Sequence, residues 1–472
     1  MDPNEFRTVG HRLIDILADQ MASIEERPLF PKIAPRALHD LFDEPLPQNG
    51  TPLDQIVTEL EQKLLPNSAQ INHPGYFGLI TPTPAPAGVL GDLVASSLNQ
   101  NVGVWSSSPA ATTMERRVVH WLTDLIGYDD QAGGNLTSGG MTANFIALKL
   151  ARDWATQDRA QHDGVTQPLA VYTSEERHVS VDKSADAIGI GRKGLRVIPT
   201  DDLFRIDLEK LQAAIAEDRR NGVRPIAIVA MGGSTNTGVI DSLVELREIA
   251  DREHVWLHVD AAYGGGMLLS ERHPGVLDGI ALADSVTIDP HKWFFAPLDA
   301  GAVLVKDGSR LTASFGIKPP YLTDRYGESR ERYNFYVHGF EQSRRFRGLK
   351  VWMGLKHFGA AQIGRWVDAN IDQVLHLDEL CRRDPDFAVA RKPLLSVICV
   401  RYVRPHLSED QLGALHADVA RRIEEQGRFW FATTFLKGKW YFRICPVNFR
   451  TKREHMDELF QLLKDELKRS VE

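Results

Sequence analysis

The chain has 472 residues, enough for two or three domains and for a core that needs no covalent staples. At 43% hydrophobic and 25% charged residues it reads as globular, and no apolar run approaches the roughly 20 residues of a membrane span. A formal charge of −8 argues against a nucleic-acid partner, and three scattered cysteines (Cys381, Cys399, Cys445) against a disulfide framework or a thiolate metal site. With no basic-then-apolar start, a cytoplasmic enzyme without a metal is expected.

Asp2, Pro3 and Glu5 make a helix start, and Phe6, Val9, Leu13, Ile14, Leu17, Met21 and Ile24 give that helix one apolar face. A second amphipathic segment covers Leu53 to Leu65, and the Pro-rich stretch between them, Pro28 to Pro52, reads as an extended arm. A helical unit with such an arm makes little core of its own and is expected to pack on another domain or subunit.

From about 110 to 310 the period changes. Short apolar runs at Leu169–Thr173, Leu195–Ile198, Ile226–Met231, Val255–Val259, Ser285–Ile288 and Ala302–Val305 alternate with amphipathic stretches near 112–127, 140–154, 208–220 and 242–252. This alternation predicts a largely parallel sheet with helices on both faces, whose ligands lie at the carboxyl ends of the strands. From 360 onward, helices mixed with Leu395–Tyr402 and Trp440–Ile444 predict a small α/β domain. The expected division is 1–80, a helical arm; 81–359, a large ligand-binding domain; and 360–472, the small domain.

One glycine motif is a decoy. Gly189-Ile190-Gly191-Arg192-Lys193-Gly194 fits G-x-G-x-x-G, but it follows a predicted helix, Val181 to Ile188, and precedes a strand. A dinucleotide loop needs the reverse order, so a glycine-terminated helix is expected.

Four positions after predicted strands form a constellation. Lys292, in Asp289-Pro290-His291-Lys292-Trp293, follows a strand closely among aromatic residues and suits Schiff-base formation. Asp260, in His258-Val259-Asp260-Ala261-Ala262, ends an apolar strand, where a carboxylate needs a cationic partner such as a protonated pyridine nitrogen, and Ala262 leaves room for a flat ring. Thr137-Ser138-Gly139-Gly140-Met141-Thr142 opens a helix whose N–H groups can hold a phosphate. His178 follows the strand Leu169–Thr173 and can stack on a ring. Together they specify pyridoxal phosphate.

At these residues, and at Arg344-Arg345-Phe346-Arg347, His73-Pro74 and Ser108-Pro109-Ala110-Ala111, the chain resembles the group II pyridoxal-phosphate decarboxylases. The resemblance covers nearly the whole chain. It implies an α/β, aspartate-aminotransferase-like fold, an obligate homodimer with the active site at the interface, and decarboxylation of an L-amino acid to the amine. It casts Lys292 as the Schiff-base lysine, Asp260 as the partner of the ring nitrogen and His178 as the stacking residue. Gly139, Gly140, Met141 and Thr142 would line the phosphate site, with Ser234, Ala262, Asp289 and His291 completing the cofactor shell. Transamination on the same lysine and aspartate is the more distant alternative.

The substrate wall that the resemblance implies is Tyr76, Phe77, Leu79, Ile80, Pro82, Thr83, Val102, Val104, Trp105 and Phe335. It is mostly apolar and has no obvious arginine, which favours a hydrophobic or aromatic side chain. Counting back from Arg344 puts Phe335 where aromatic-specific relatives carry a proton-donating tyrosine on a mobile loop of the neighbouring subunit. In some relatives that replacement accompanies aldehyde synthesis, the alternative product. Tyr336 and then Tyr333 are the expected donors, which would keep the product an amine.

Overall fold

Asp2 accepts a hydrogen bond from the Asn4 N–H and Pro3 opens the first turn, so the first helix runs Pro3–Ala22. The structure, a computed structural model, describes residues 2–320 and 331–469. The segment after Pro52 is helical over Leu53–Glu59 and continues through a wider turn, Leu60–Leu64, to Asn67. The stretch between them is not an extended arm throughout, because Pro35–Leu41 is a helix. Pro35 sits at its first position, where a fixed φ and a missing N–H favour a helix.

The larger of two compact units spans Ile80–Leu375 and Arg391–Ile398. Its sheet has seven strands: β1 Gly133–Thr137, β2 Leu169–Ser174, β3 Leu195–Ile198, β4 Arg224–Met231, β5 Trp256–Asp260, β6 Ser285–Ile288 and β7 Gly301–Val305. Their order is β1-β7-β6-β5-β4-β2-β3. The contiguous block β6-β5-β4-β2-β3 is parallel, and β7 runs antiparallel to both of its neighbours. Only β1 was not anticipated, since Gly133-Gly134-Asn135 masks a strand in composition.

The helix Gly140–Ala155 lies against this sheet on its small residues. Ala143, Ala147 and Ala151 are fully buried beside Val171, Val229 and Val303, so its backbone comes close to the strands. The decoy glycines end a helix as expected: Val179–Ala187 stops at Ile188, and Gly189 follows with φ +81°.

The smaller unit joins the residues up to Leu79 with His376–Ala390 and the chain from Cys399. Its sheet runs β10-β11-β9-β8, with β8 Phe387–Val389, β9 Ile398–Tyr402, β10 Ala432–Leu436 and β11 Lys439–Ile444. β8 pairs antiparallel with β9, and β10 with β11. Helices Glu409–Glu425, closed by a Ser408/Gln411 capping box, and Arg453–Arg469 accompany this sheet.

A buried ion pair holds the larger unit where its backbone turns between elements. Arg344 and Glu115 have fully buried side chains and meet at 2.7 Å. Arg344 also donates to Val102 O at 3.0 Å and Leu136 O at 2.8 Å, while Glu115 accepts the Gly348 N–H at 2.9 Å. Removing one partner strands the other charge, a loss of about 3–5 kcal/mol. Arg344→Ala is therefore expected to lower the urea midpoint by that equivalent at unchanged m value. A loss below about 1 kcal/mol would mean that Glu115 is compensated in another way.

Candidate active site

Parallel strands align their carboxyl ends, and the turns that leave β2, β4, β5 and β6 all reach one cavity of about 330 Å³. After β1, Gly139 takes φ +153°, outside the range of ordinary side chains, and the following residues start a 16-residue helix. A Cβ on Gly140 would stand 2.9 Å from Asp289 Oδ2 and 3.2 Å from Ala262 Cβ, so the turn can be this tight only with glycine.

After β6, Asp289, His291 and Lys292 fold back into the same cavity. Lys292 Nζ lies 3.3 Å from Asp289 Oδ2. Of the flanking rings, Trp293 stacks on Tyr263 at 4.7 Å, and Phe295 packs edge-on to Trp366. His291 Nδ1 accepts the Ala300 N–H at 3.0 Å, which leaves Nε2 facing Asp289 at 3.5 Å. Burial holds the His291 imidazole below its ordinary range. Asp289 is 2% exposed and its Oδ1 has no hydrogen-bond partner among the described residues, so it is an acceptor left open for a ligand or a proton.

Asp260, at the end of β5, is 6% exposed. Its Oδ1 accepts the Ala262 N–H at 3.2 Å and its Oδ2 the Asn144 amide at 2.7 Å. His178 caps the helix Val179–Ala187, with Nδ1 accepting the Ser180 N–H at 3.2 Å. A neutral His178 therefore carries its proton on Nε2. Burial lowers its pKa, partly opposed by the Asp260 carboxylate.

Of the residues expected from sequence, Ile80, Gly139, Gly140, Met141, His178, Ser234, Asp260, Ala262, Asp289, His291 and Lys292 line this cavity together. The Thr142 hydroxyl is engaged with Ser138 Oγ at 2.9 Å. Tyr76 and Phe77 are buried in the smaller unit against Trp430 and Phe429, and Leu79 is 52% exposed there. Pro82, Thr83, Val102, Val104 and Trp105 belong to the larger unit but are not in the lining.

Phe335 and Tyr336 lie in a buried turn, Phe335–Val337, and Tyr333 stacks on His338 at 4.0 Å. None of these three lines the Lys292 cavity. Sequence reasoning missed Asn144, Ser180 and Glu176. The Glu176 carboxylate accepts from Thr237 Oγ1 at 2.6 Å and Ser234 Oγ at 3.1 Å, and burial raises its pKa.

A glycine turn at a helix start, a carboxylate at a strand end, an unpartnered buried acceptor, an imidazole and a primary amine around one cavity fit a flat, phosphorylated, cationic heterocycle that carries an aldehyde. The conserved domain of pyridoxal-dependent decarboxylases matches residues 35–403. An aromatic-L-amino-acid decarboxylase of Bacillus atrophaeus is 32% identical over 98% of this chain and 96% of its own length. A phenylacetaldehyde synthase of Arabidopsis thaliana is 27% identical over 99% of this chain and 96% of its own. The crystal structure of Oryza sativa TDC with PLP and tryptamine superposes with a TM-score of 0.94 at 27% identity, covering 100% of this chain and 99% of that one.

Behind Asp260 lies His258, whose pKa burial lowers to about 4. Between pH ~6.5 and 4 the unfolded chain binds a proton there that the folded protein does not. This contribution to stability is present in full above pH ~6.5 and is lost as pH falls toward 4. Asp241, pushed up to about 6 by burial, works in the opposite sense over most of that window, from pH ~6 downward. In urea unfolding followed against pH, His258→Gln is expected to flatten the acid limb by up to one proton; an unchanged slope would show that His258 is protonated in the fold.

Proposed function

We propose, for a chain that belongs to the pyridoxal-dependent decarboxylase family and is an amino acid decarboxylase using pyridoxal phosphate, that Lys292, Asp260 and His178 divide the chemistry among them. The observation that carries this reading is that an amine, a strand-end carboxylate and a capping imidazole from three separate turns share one cavity. When bound, the cofactor supplies an aldehyde for the substrate amine and a ring that draws electrons from the bond to the departing carboxylate.

Lys292 Nζ is the amine that holds the cofactor and gives way to the substrate, with Asp289 as its counter-charge at 3.3 Å. Asp260 keeps the proton on the ring nitrogen: at about 4 Å and an effective dielectric of ~20 the attraction is about 4 kcal/mol. His178 offers its face to the ring and its Nε2–H to the substrate carboxylate. The N–H groups from Gly139 to Thr142 meet the phosphate. Ser234, Ala262 and His291 close the rest of the shell.

Ile80, Met141, Met231, Ala262 and Leu298 give the cavity apolar lining, and among the described residues no arginine lines it. A hydrophobic or aromatic L-amino acid therefore fits better than an acidic one. The working form is a homodimer with the site at the interface. In support, the first helix buries only Val9 and leaves Phe6, Ile14 and Leu17 exposed. The three cysteines are buried and form no disulfide among the described residues, which suits the reducing cytoplasm.

The proton that replaces the carboxylate is assigned to Tyr336 ahead of Tyr333. Burial raises the Tyr333 phenol well above its usual range, and its ring lies between His338 and Arg116. Both sit outside their own chain's cavity, as a donor supplied by a second copy would.

If Lys292 carries the cofactor, the purified protein is yellow, and borohydride fixes the pyridoxyl group on this residue. Mass spectrometry showing a modified lysine elsewhere would end the assignment. Asp260→Ala is expected to cost several kcal/mol in transition-state stabilisation, each ~1.4 kcal/mol being tenfold in kcat/KM. Turnover within about threefold of wild type would refute its role. Tyr336→Phe is expected to divert product from amine to aldehyde and peroxide, with Tyr333→Phe as the parallel variant. Diversion by Tyr333→Phe, and not by Tyr336→Phe, would move the proton donor there.

A further inference from the structure

Four side chains meet on the amide of Asn144. Its Nδ2 donates to Asp260 Oδ2 at 2.7 Å and to Ser180 Oγ at 2.8 Å. Its Oδ1 accepts from Thr287 Oγ1 at 2.7 Å and faces His258 Nε2 at 3.0 Å. An asparagine amide has two donor hydrogens and two lone pairs, and here all four positions are used. The pairing of β5 with β6 explains the meeting: His258 stands opposite Ser285 and Asp260 opposite Thr287, so alternate residues of two strands present one polar face to the helix that carries Asn144. Asn144 is 1% exposed and Ser180, His258, Ser285 and Thr287 are 0% exposed, which leaves no room for water to replace a lost partner.

The carboxylate gives this cluster a direction. With the amide reversed, Oδ1 would oppose Asp260 Oδ2 at 2.7 Å with no hydrogen between them. Asn144 Oδ1 therefore faces β6, and a neutral His258 must carry its proton on Nε2. The bare His258 Nδ1 then accepts the Ser285 hydroxyl at 2.9 Å, and Ser285 Oγ accepts the Trp256 Nε1–H at 2.8 Å. On the other side, Ser180 Oγ accepts from Asn144 and turns its own hydrogen to His178 Nδ1 at 2.9 Å. One relay of neutral donors thus ends on Asp260 and the other on the ring-facing histidine.

We propose that Asn144 is a positioning residue for the decarboxylation, holding the Asp260 carboxylate ionised toward a pyridinium nitrogen and, through the Ser180 hydroxyl, adding a second donor to His178 Nδ1 beside the Ser180 N–H. This rests on the reading of Asp260 and His178 given above. Asn144 delivers hydrogens from two relays and contributes no charge of its own, so the negative charge in the cluster stays on Asp260.

The test uses the holoenzyme reconstituted with pyridoxal phosphate labelled with ¹⁵N in the ring. Asn144→Asp keeps the shape but sets a second oxygen against Asp260. It is expected to move the ring ¹⁵N resonance toward the unprotonated position, to weaken cofactor binding by fluorescence titration, and to lower kcat by about 10²-fold, the size of loss that misplacement produces. Thr287→Val removes one donor to Asn144 and is expected to act in the same direction by about tenfold in kcat, with native circular dichroism. If the ring resonance and kcat stay at wild-type values in both variants while Asp260→Ala shifts them, Asn144 only packs, and the proposal fails with the Asp260 reading intact. If Asp260→Ala also leaves the resonance in place, the Asp260 reading fails and takes this proposal with it. Should Asn144→Asp not fold, an unmoved resonance in Thr287→Val overturns the proposal alone.

Discussion

Keeping the charge of Asp260 out of water is costly unless hydrogen-bond donors replace the lost solvent, and the elements around β5 are arranged to supply them. The backbone after the strand gives one donor and the Gly140–Ala155 helix gives the other. That helix can approach only because its inner face is alanine and its start is two glycines. Core packing and site geometry are therefore set by the same residues: a larger side chain at Ala143 would move Asn144 away from the carboxylate.

A second buried charge, the Arg344–Glu115 pair, does mechanical service. Arg344 reaches Val102 and the end of β1 with its guanidinium and Asn101 with its backbone N–H, joining segments more than 200 residues apart in the chain. The two buried anions differ in purpose. Glu115 is paired with a cation inside the protein, whereas among the described residues the hydrogen bonds to Asp260 come from neutral donors.

Most of the larger unit is legible in sequence because parallel strands buried on both faces appear as short β-branched runs and their crossover helices as amphipathic stretches. β1 is not, since its glycines are there for close approach and carry no strand propensity. Of the residues proposed for the chemistry, Asp260 draws notice in the sequence because it ends an apolar run with a charge, and Lys292 because it follows another such run closely among aromatic residues. Asn144 is not: it lies inside a helix pattern, and its role exists only once β5, β6 and that helix are assembled. The implied substrate wall is scattered for a related reason. A resemblance assigns residues to a pocket but does not say which compact unit carries them, and Tyr76 and Phe77 lie in the smaller one.

The cavity draws on turns from Gly139 to Lys292, so no sub-fragment of the sheet contains it. A ligand that binds only this assembly stabilises the folded state by mass action, about 2.7 kcal/mol at a free concentration 100 times its dissociation constant. A cofactor bound there would therefore raise the amount of folded enzyme as well as its activity. In a cell short of the vitamin, the apoprotein would be opened and degraded sooner, and enzyme abundance would track nutrition with no change in gene expression.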